Sequence, residues 1–86
     1  MHEMTIALNV CRIAAERVGP ENLSRVVEVG LEVGSDSGVE VDNLEFWLEV
    51  MLSEPPFVDA RLVIARSDGD DLRVSYLEIE DGREAD

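Results

Sequence analysis

Residues 24–34 read SRVVEVGLEVG, and the fold turns on how they are interpreted. Val27, Val29, Leu31 and Val33 alternate with Glu28, Gly30 and Glu32. That period of two puts the apolar side chains on one face of a strand and the acids on the other. A helix would scatter the same residues around its circumference. The strand runs into Gly34-Ser35-Asp36-Ser37-Gly38, a polar turn. One half-buried strand needs an apolar layer to lie on, and the flanking sequence supplies it.

Upstream, the period is helical from about Glu3 to Val18. Ile6, Val10, Ile13, Ala14 and Arg17 recur at helical spacing, and Ala7, Cys11 and Val18 widen the stripe. Gly19-Pro20 stops the helix, since glycine suits the cap and proline cannot continue the ladder. Cys11 falls on or near the packed face. Downstream, Leu44, Trp47, Leu48 and Met51 sit at i, i+3, i+4 and i+7, with Phe46, Val50 and Leu52 thickening the apolar side. This predicts a helix over about Asp42–Ser53, capped by Glu40 or Asp42, blocked by Pro55-Pro56, and with Trp47 in the core. Two further strands are expected, about Asp59–Arg66 and Leu72–Glu80, around a Ser67-Asp68-Gly69-Asp70 turn. Leu62 and Ile64 face inward in the first. Val74, Tyr76 and, loosely, Leu77 and Ile79 do so in the second.

The order is helix-strand-helix-strand-strand, an α/β (α+β) chain. Its physical solution is a three-stranded mixed sheet with two helices packed on it. A right-handed parallel crossover would let the last strand lie between the other two. Residues 1–82 read as a single domain and 83–86 as a frayed acidic tail.

Seven Lys+Arg stand against 20 Asp+Glu, a net charge of −13. Phosphate backbones and anionic membrane surfaces repel such a chain, so neither nucleic acid nor membrane is an expected partner. Cys11 is the single cysteine, which rules out an internal disulfide and a thiolate zinc site built from this chain alone. The sequence shows no signal peptide and no apolar run long enough to span a bilayer, so a cytoplasmic location is expected. Catalysis is not expected. GSDSG lacks the lysine and spacing of a phosphate loop, and no base lies near Ser35, Asp36 or Ser37 in the sequence.

The chemistry concentrates at the start, MHEMTIALNV. Histidine is too large at position 2 for the initiator methionine to be trimmed, so a free α-amine with a pKa near ~7.7 is expected at Met1. That amine, the His2 amide nitrogen and His2 Nδ1 can close two fused chelate rings. The Glu3 amide would complete a square of nitrogen donors, a field suited to Ni(II) or Cu(II) rather than Zn(II). Binding must release protons, so affinity should rise with pH near neutrality. The acids Glu3 and Glu40 could add oxygen ligands if the fold brings them close. His2 is the only imidazole.

Three stretches together resemble the hydrogenase nickel-incorporation proteins, the HypA/HybF family. They are Met1-His2-Glu3 leading into a helix, Gly34-Ser35-Asp36-Ser37-Gly38-Val39-Glu40 closing a strand, and Leu44-Glu45-Phe46 within the following helix. The terminal DDLRVSYLEIEDG resembles that family's last strand. The resemblance implies a nickel metallochaperone that binds Ni(II) at Met1, His2 and Glu3, with Glu40 as an additional or supporting carboxylate. It implies transfer toward a [NiFe]-hydrogenase large subunit in concert with a nickel-handling GTPase. The sequence departs from that family in having only Arg66–Asp71 where a zinc ribbon with two Cys-x-x-Cys pairs is inserted, so no zinc is expected. It also has Val41 where the family often has proline. The second reading is a zinc-free, metal-independent interaction module in the maturation of a hydrogenase or another nickel enzyme.

Overall fold

The computed structural model describes residues 2–80; Met1 and the expected tail, 83–86, lie outside them. The elements are α1 (Glu3–Val18), a short 3-10 turn η1 (Pro20–Arg25), β1 (Val26–Gly34), α2 (Val41–Leu52), β2 (Arg61–Ser67) and β3 (Leu72–Ile79). The helix-strand-helix-strand-strand order and the mixed sheet are as the periodicity predicts. The expected strand order is not. The sheet runs β2-β1-β3, so β1 is the central strand, parallel to β2 and antiparallel to β3. The reason lies in the hydropathy of β1, which is the strand buried deepest. Val29, Leu31 and Val33 are 0–1% exposed. The last strand, with a single buried residue, Val74, belongs at an edge.

α1 and α2 lie side by side against one face of this sheet. Ala7, Val10 and Ala14 of α1 meet Leu44, Leu48 and Leu52 of α2 over Val29, Leu31 and Val33. Burying each of those α2 leucines contributes roughly 1.5–3 kcal/mol. The opposite sheet face is open to solvent. There Arg61 pairs with Glu28 at 3.0 Å and Arg73 with Glu32 at 2.7 Å. Gly30 lies beneath Tyr76 on this face, where a Cβ would stand 2.6 Å from the ring's Cζ.

Two register shifts account for the inward residues that alternation misplaces. One falls between Val26 and Glu28, leaving Val27 unpaired with β3, and Val26 takes the buried position expected of Val27. The other falls between Gly30 and Leu31 opposite Tyr76 and Val74, so Tyr76 does not share the buried face of Val74. Phe46, expected to thicken the apolar side of α2, is 56% exposed, and Trp47 is only half-buried. Two core residues carry no periodic signal, Leu23 in η1 and Phe57 after the prolines.

β2 and β3 are not a hairpin. Residues 68–71 arch over the end of β1 from one edge strand to the other, and the arch is bonded to what it crosses. Gly34 N–H donates to Asp71 O at 2.6 Å, Ser35 N–H to Ser67 O at 2.8 Å and Asp36 N–H to Gly69 O at 2.6 Å.

Candidate metal centre

Both helices begin at the same end of the molecule, and one side chain ties their starts together. His2 is the residue before α1, with φ −90° and ψ 102°; its carbonyl accepts the first helical bond, from Ile6 N–H at 3.1 Å. Its side chain makes no capping bond and is exposed. The amides of His2 and Glu3 come before any intrahelical acceptor, so helix formation leaves them without carbonyl partners.

Glu3 is different. It is 8% exposed, the one charged side chain buried among the described residues. Its Oε2 accepts the Glu40 N–H at 3.0 Å and its Oε1 accepts the Asn43 side-chain amide at 3.2 Å. Glu40 is the cap residue of α2 and lacks a side-chain cap bond of its own. Glu3 therefore caps α2 from across the helix pair, and its negative charge sits at the positive end of that helix. The Glu40 N–H does most to hold the Glu3 carboxyl below its ordinary value. Burial works the other way, and the Glu3 N–H and the Asn43 amide side with Glu40.

The sign of the pH effect follows. A depressed folded pKa gives stability that is fully present above the ordinary value of 4.5 and is lost as pH falls through the lower folded value. Glu3→Gln should remove that acid-side loss. Urea midpoints taken from about pH 7 to pH 3 should fall less steeply for the variant, and parallel curves would refute the assignment.

Of the four expected site residues, Met1 lies outside the described residues. His2, Glu3 and Glu40 come together at one end, through the Glu3–Glu40 bond. Glu40 is exposed and contributes its backbone N–H to that bond. No three His, Cys, Asp or Glu side chains converge on a common point among the described residues. The donors on offer are thus main-chain nitrogens and one imidazole. Asn43 was not visible to sequence reasoning. It is a polar residue in the first turn of a helix, and nothing local says that its partner lies 40 residues upstream. Cys11 is half-buried, with Sγ 4.0 Å from Met51 Sδ, and burial raises its pKa. It is remote in sequence from the N-terminal donors and packs as a small hydrophobe.

The chain matches the sequence model described as hydrogenase/urease nickel incorporation, metallochaperone, hypA, over residues 1–72. Among curated proteins it is similar to the hydrogenase maturation factor HypA of Chlorobaculum parvum, at 41% identity over 64 residues, covering 74% of this chain and 57% of that protein. It is also similar to the factor of the same name from Geobacter metallireducens, at 41% identity over 69 residues, 80% of this chain and 60% of that one. A third, from Xanthobacter autotrophicus, is 33% identical over 69 residues, with 80% and 61% covered. The matched region thus spans roughly three fifths of each relative's length.

Proposed function

Because this chain belongs to the HypA family of hydrogenase/urease nickel-incorporation metallochaperones, we propose that it receives Ni(II) at its N-terminus for the maturation of a [NiFe]-hydrogenase. The donors are the Met1 amine, the His2 amide and Nδ1, and the Glu3 amide. The carboxylate of Glu3 serves as the anchor that holds this segment against α2, and Glu40 completes the anchor through its N–H. The observation that carries this reading is the buried Glu3 bridge, which spends a carboxylate on fixing the residue next to His2.

The anchor matters energetically. A free terminus must lose backbone freedom to wrap a metal, at roughly 1–2 kcal/mol per residue. Glu3 is already ordered in the first turn of α1, so its backbone adds nothing further to that cost. Ni(II) is then the cargo, held in a planar nitrogen field and released when a competing site supplies better ligands or when the amine is reprotonated. Its partners on this reading are a nickel-handling GTPase and a hydrogenase large subunit. Residues 1–82 act as one nickel-binding-type domain without a zinc ribbon, joined directly through residues 68–71.

The chain contains no lysine, so with Met1 as its first residue the α-amine is its only primary amine. That makes the test selective. Ni(II) titrated across neutral pH should give a yellow planar-type absorption at one equivalent, strengthening as pH rises through the amine pKa near ~7.7. Acylating the amine, verified by a single added mass, should abolish the band. Saturable binding that survives acylation would place the metal elsewhere. No saturable binding by the unmodified chain would leave the metal-independent module.

A further inference from the structure

The helical layer has a second feature at the same end of the molecule. α1 carries Met4, Leu8 and Cys11 at i, i+4 and i+7, and these lie on the side that meets α2, as the Cys11–Met51 contact shows. On α2, Asn43 reaches across to Glu3, so residues one and two turns further along its stripe, Trp47 and Val50, lie on the same side, with Phe46 at its outer border. The result is an apolar seam between the two helices. Met4 is 46% exposed, Leu8 54% and Phe46 56%. At the far end, Leu8, Cys11 and Met51 line a pocket that closes on Pro55, Pro56 and Phe57. Contiguous apolar surface rimmed by polar residues is the kind of surface that takes a partner.

Charge narrows what fits. Beside Phe46, α2 exposes Asp42, Glu45 and Glu49, and Glu54 borders the pocket. Among the described residues none of these four acids is in an ion pair, and α2 contains no cation. The nearest arginine on α1, Arg12, is tied to Glu16 at 2.7 Å. A second copy of the chain would bring another −13 of charge. Residues 81–86, DGREAD, offer one apolar residue and a surplus of acid. Neither suits an apolar seam with an acidic rim.

We infer that the α1–α2 seam is the docking site for an amphipathic helix of a partner protein, apolar on the face it buries and rimmed with lysine or arginine. α2 offers about 18 Å of groove, enough for three turns of such a helix read as i, i+3, i+4, i+7 anchors. Met4 and Met51 supply adaptable thioethers at the contact. The seam starts two residues beyond His2, so a helix seated in it ends beside the nitrogen donors. The inference does not require those donors to bind metal.

Trp47, the only tryptophan, borders the seam and reports on its occupancy. The probe is a synthetic amphipathic helix of about 18 residues with leucine on one face and lysine on the other; its control has glutamate for every lysine. No nickel is present. The lysine peptide should shift Trp47 emission saturably, with an affinity that falls as salt is raised, and the glutamate peptide should not. Leu8→Ser and Phe46→Ser, both at exposed positions that leave the core intact, should each weaken binding about tenfold. Glu49→Lys with Glu54→Lys should weaken it and flatten the salt dependence. Val63→Ser, on the open sheet face, should bind like wild type. Equal binding of both peptides, or a loss in Val63→Ser matching that in Leu8→Ser, would overturn the assignment.

Discussion

Replacing His2 by glutamine (H2Q), which is too large for Met1 to be trimmed, is expected to eliminate the planar Ni(II) band while leaving the fold untouched. The two halves of that expectation rest on separate observations. His2 makes no side-chain capping bond and is exposed, so the fold loses nothing when the imidazole goes. Losing a side-chain cap costs about 1 kcal/mol, and His2 has no such bond to lose. The metal loses much more. Without the imidazole, the second chelate ring cannot close and the amide proton has no metal already seated beside it to drive it off. Affinity should fall by more than about 100-fold. The paired measurement is the Ni(II) titration and a urea melt of both chains. A melt midpoint that moves together with the lost band would make His2 a structural residue, and an unchanged band would reject the site.

The second large effect is on stability, from Gly34→Ala. Gly34 does not have a positive φ, so alanine fits its backbone. Its difficulty is the arch. A Cβ at Gly34 would fall on the Gly69 carbonyl, 2.8 Å from the carbonyl carbon and 2.9 Å from the Asp71 amide nitrogen. Those are main-chain atoms and cannot swing aside. The arch must lift, and its three bonds to residues 34–36 stretch or break. Overpacking of this kind costs about 1–3 kcal/mol, and each weakened bond adds roughly 0.5–1.5 kcal/mol. A loss of about 3 kcal/mol is expected, or about 12–24 °C in a domain of this size. Gly38→Ala is the control. It has open space around it but φ +80°, and should cost only about 1–2 kcal/mol. If Gly34→Ala loses no more than the control, the arch is not under the restraint described.

Both helices and the central strand were legible because each carries a hydrophobic period long enough to identify. Ala7, Val10 and Ala14, and Leu44, Leu48 and Leu52, emerge buried as their spacing requires. What the periods do not encode is pairing. The central place of β1 depends on comparing burial among three strands, and the slips at Val27 and opposite Tyr76 arise from the partner strand, not from local sequence. η1 and Phe57 escaped because one residue has no period. At the candidate site, the His2-Glu3 start was singled out by its donor chemistry together with the family resemblance. The use of Glu3 could not. A glutamate near a helix start ordinarily serves its own helix, and this one serves a helix 37 residues away through Glu40. Asn43 was missed for the same reason.

The arch has a consequence for how this chain can be lengthened. It joins two strands separated by a third, so the chain leaves β2 and re-enters β3 about 10 Å apart, twice the strand spacing. A folded unit spliced in at residues 68–71 needs only to present its own two ends at that separation, and the sheet beneath it keeps every pairing. The splice point also lies where β1 finishes and, a few residues on, α2 begins. Anything grafted there stands at the end of the molecule where His2 and both helix starts lie.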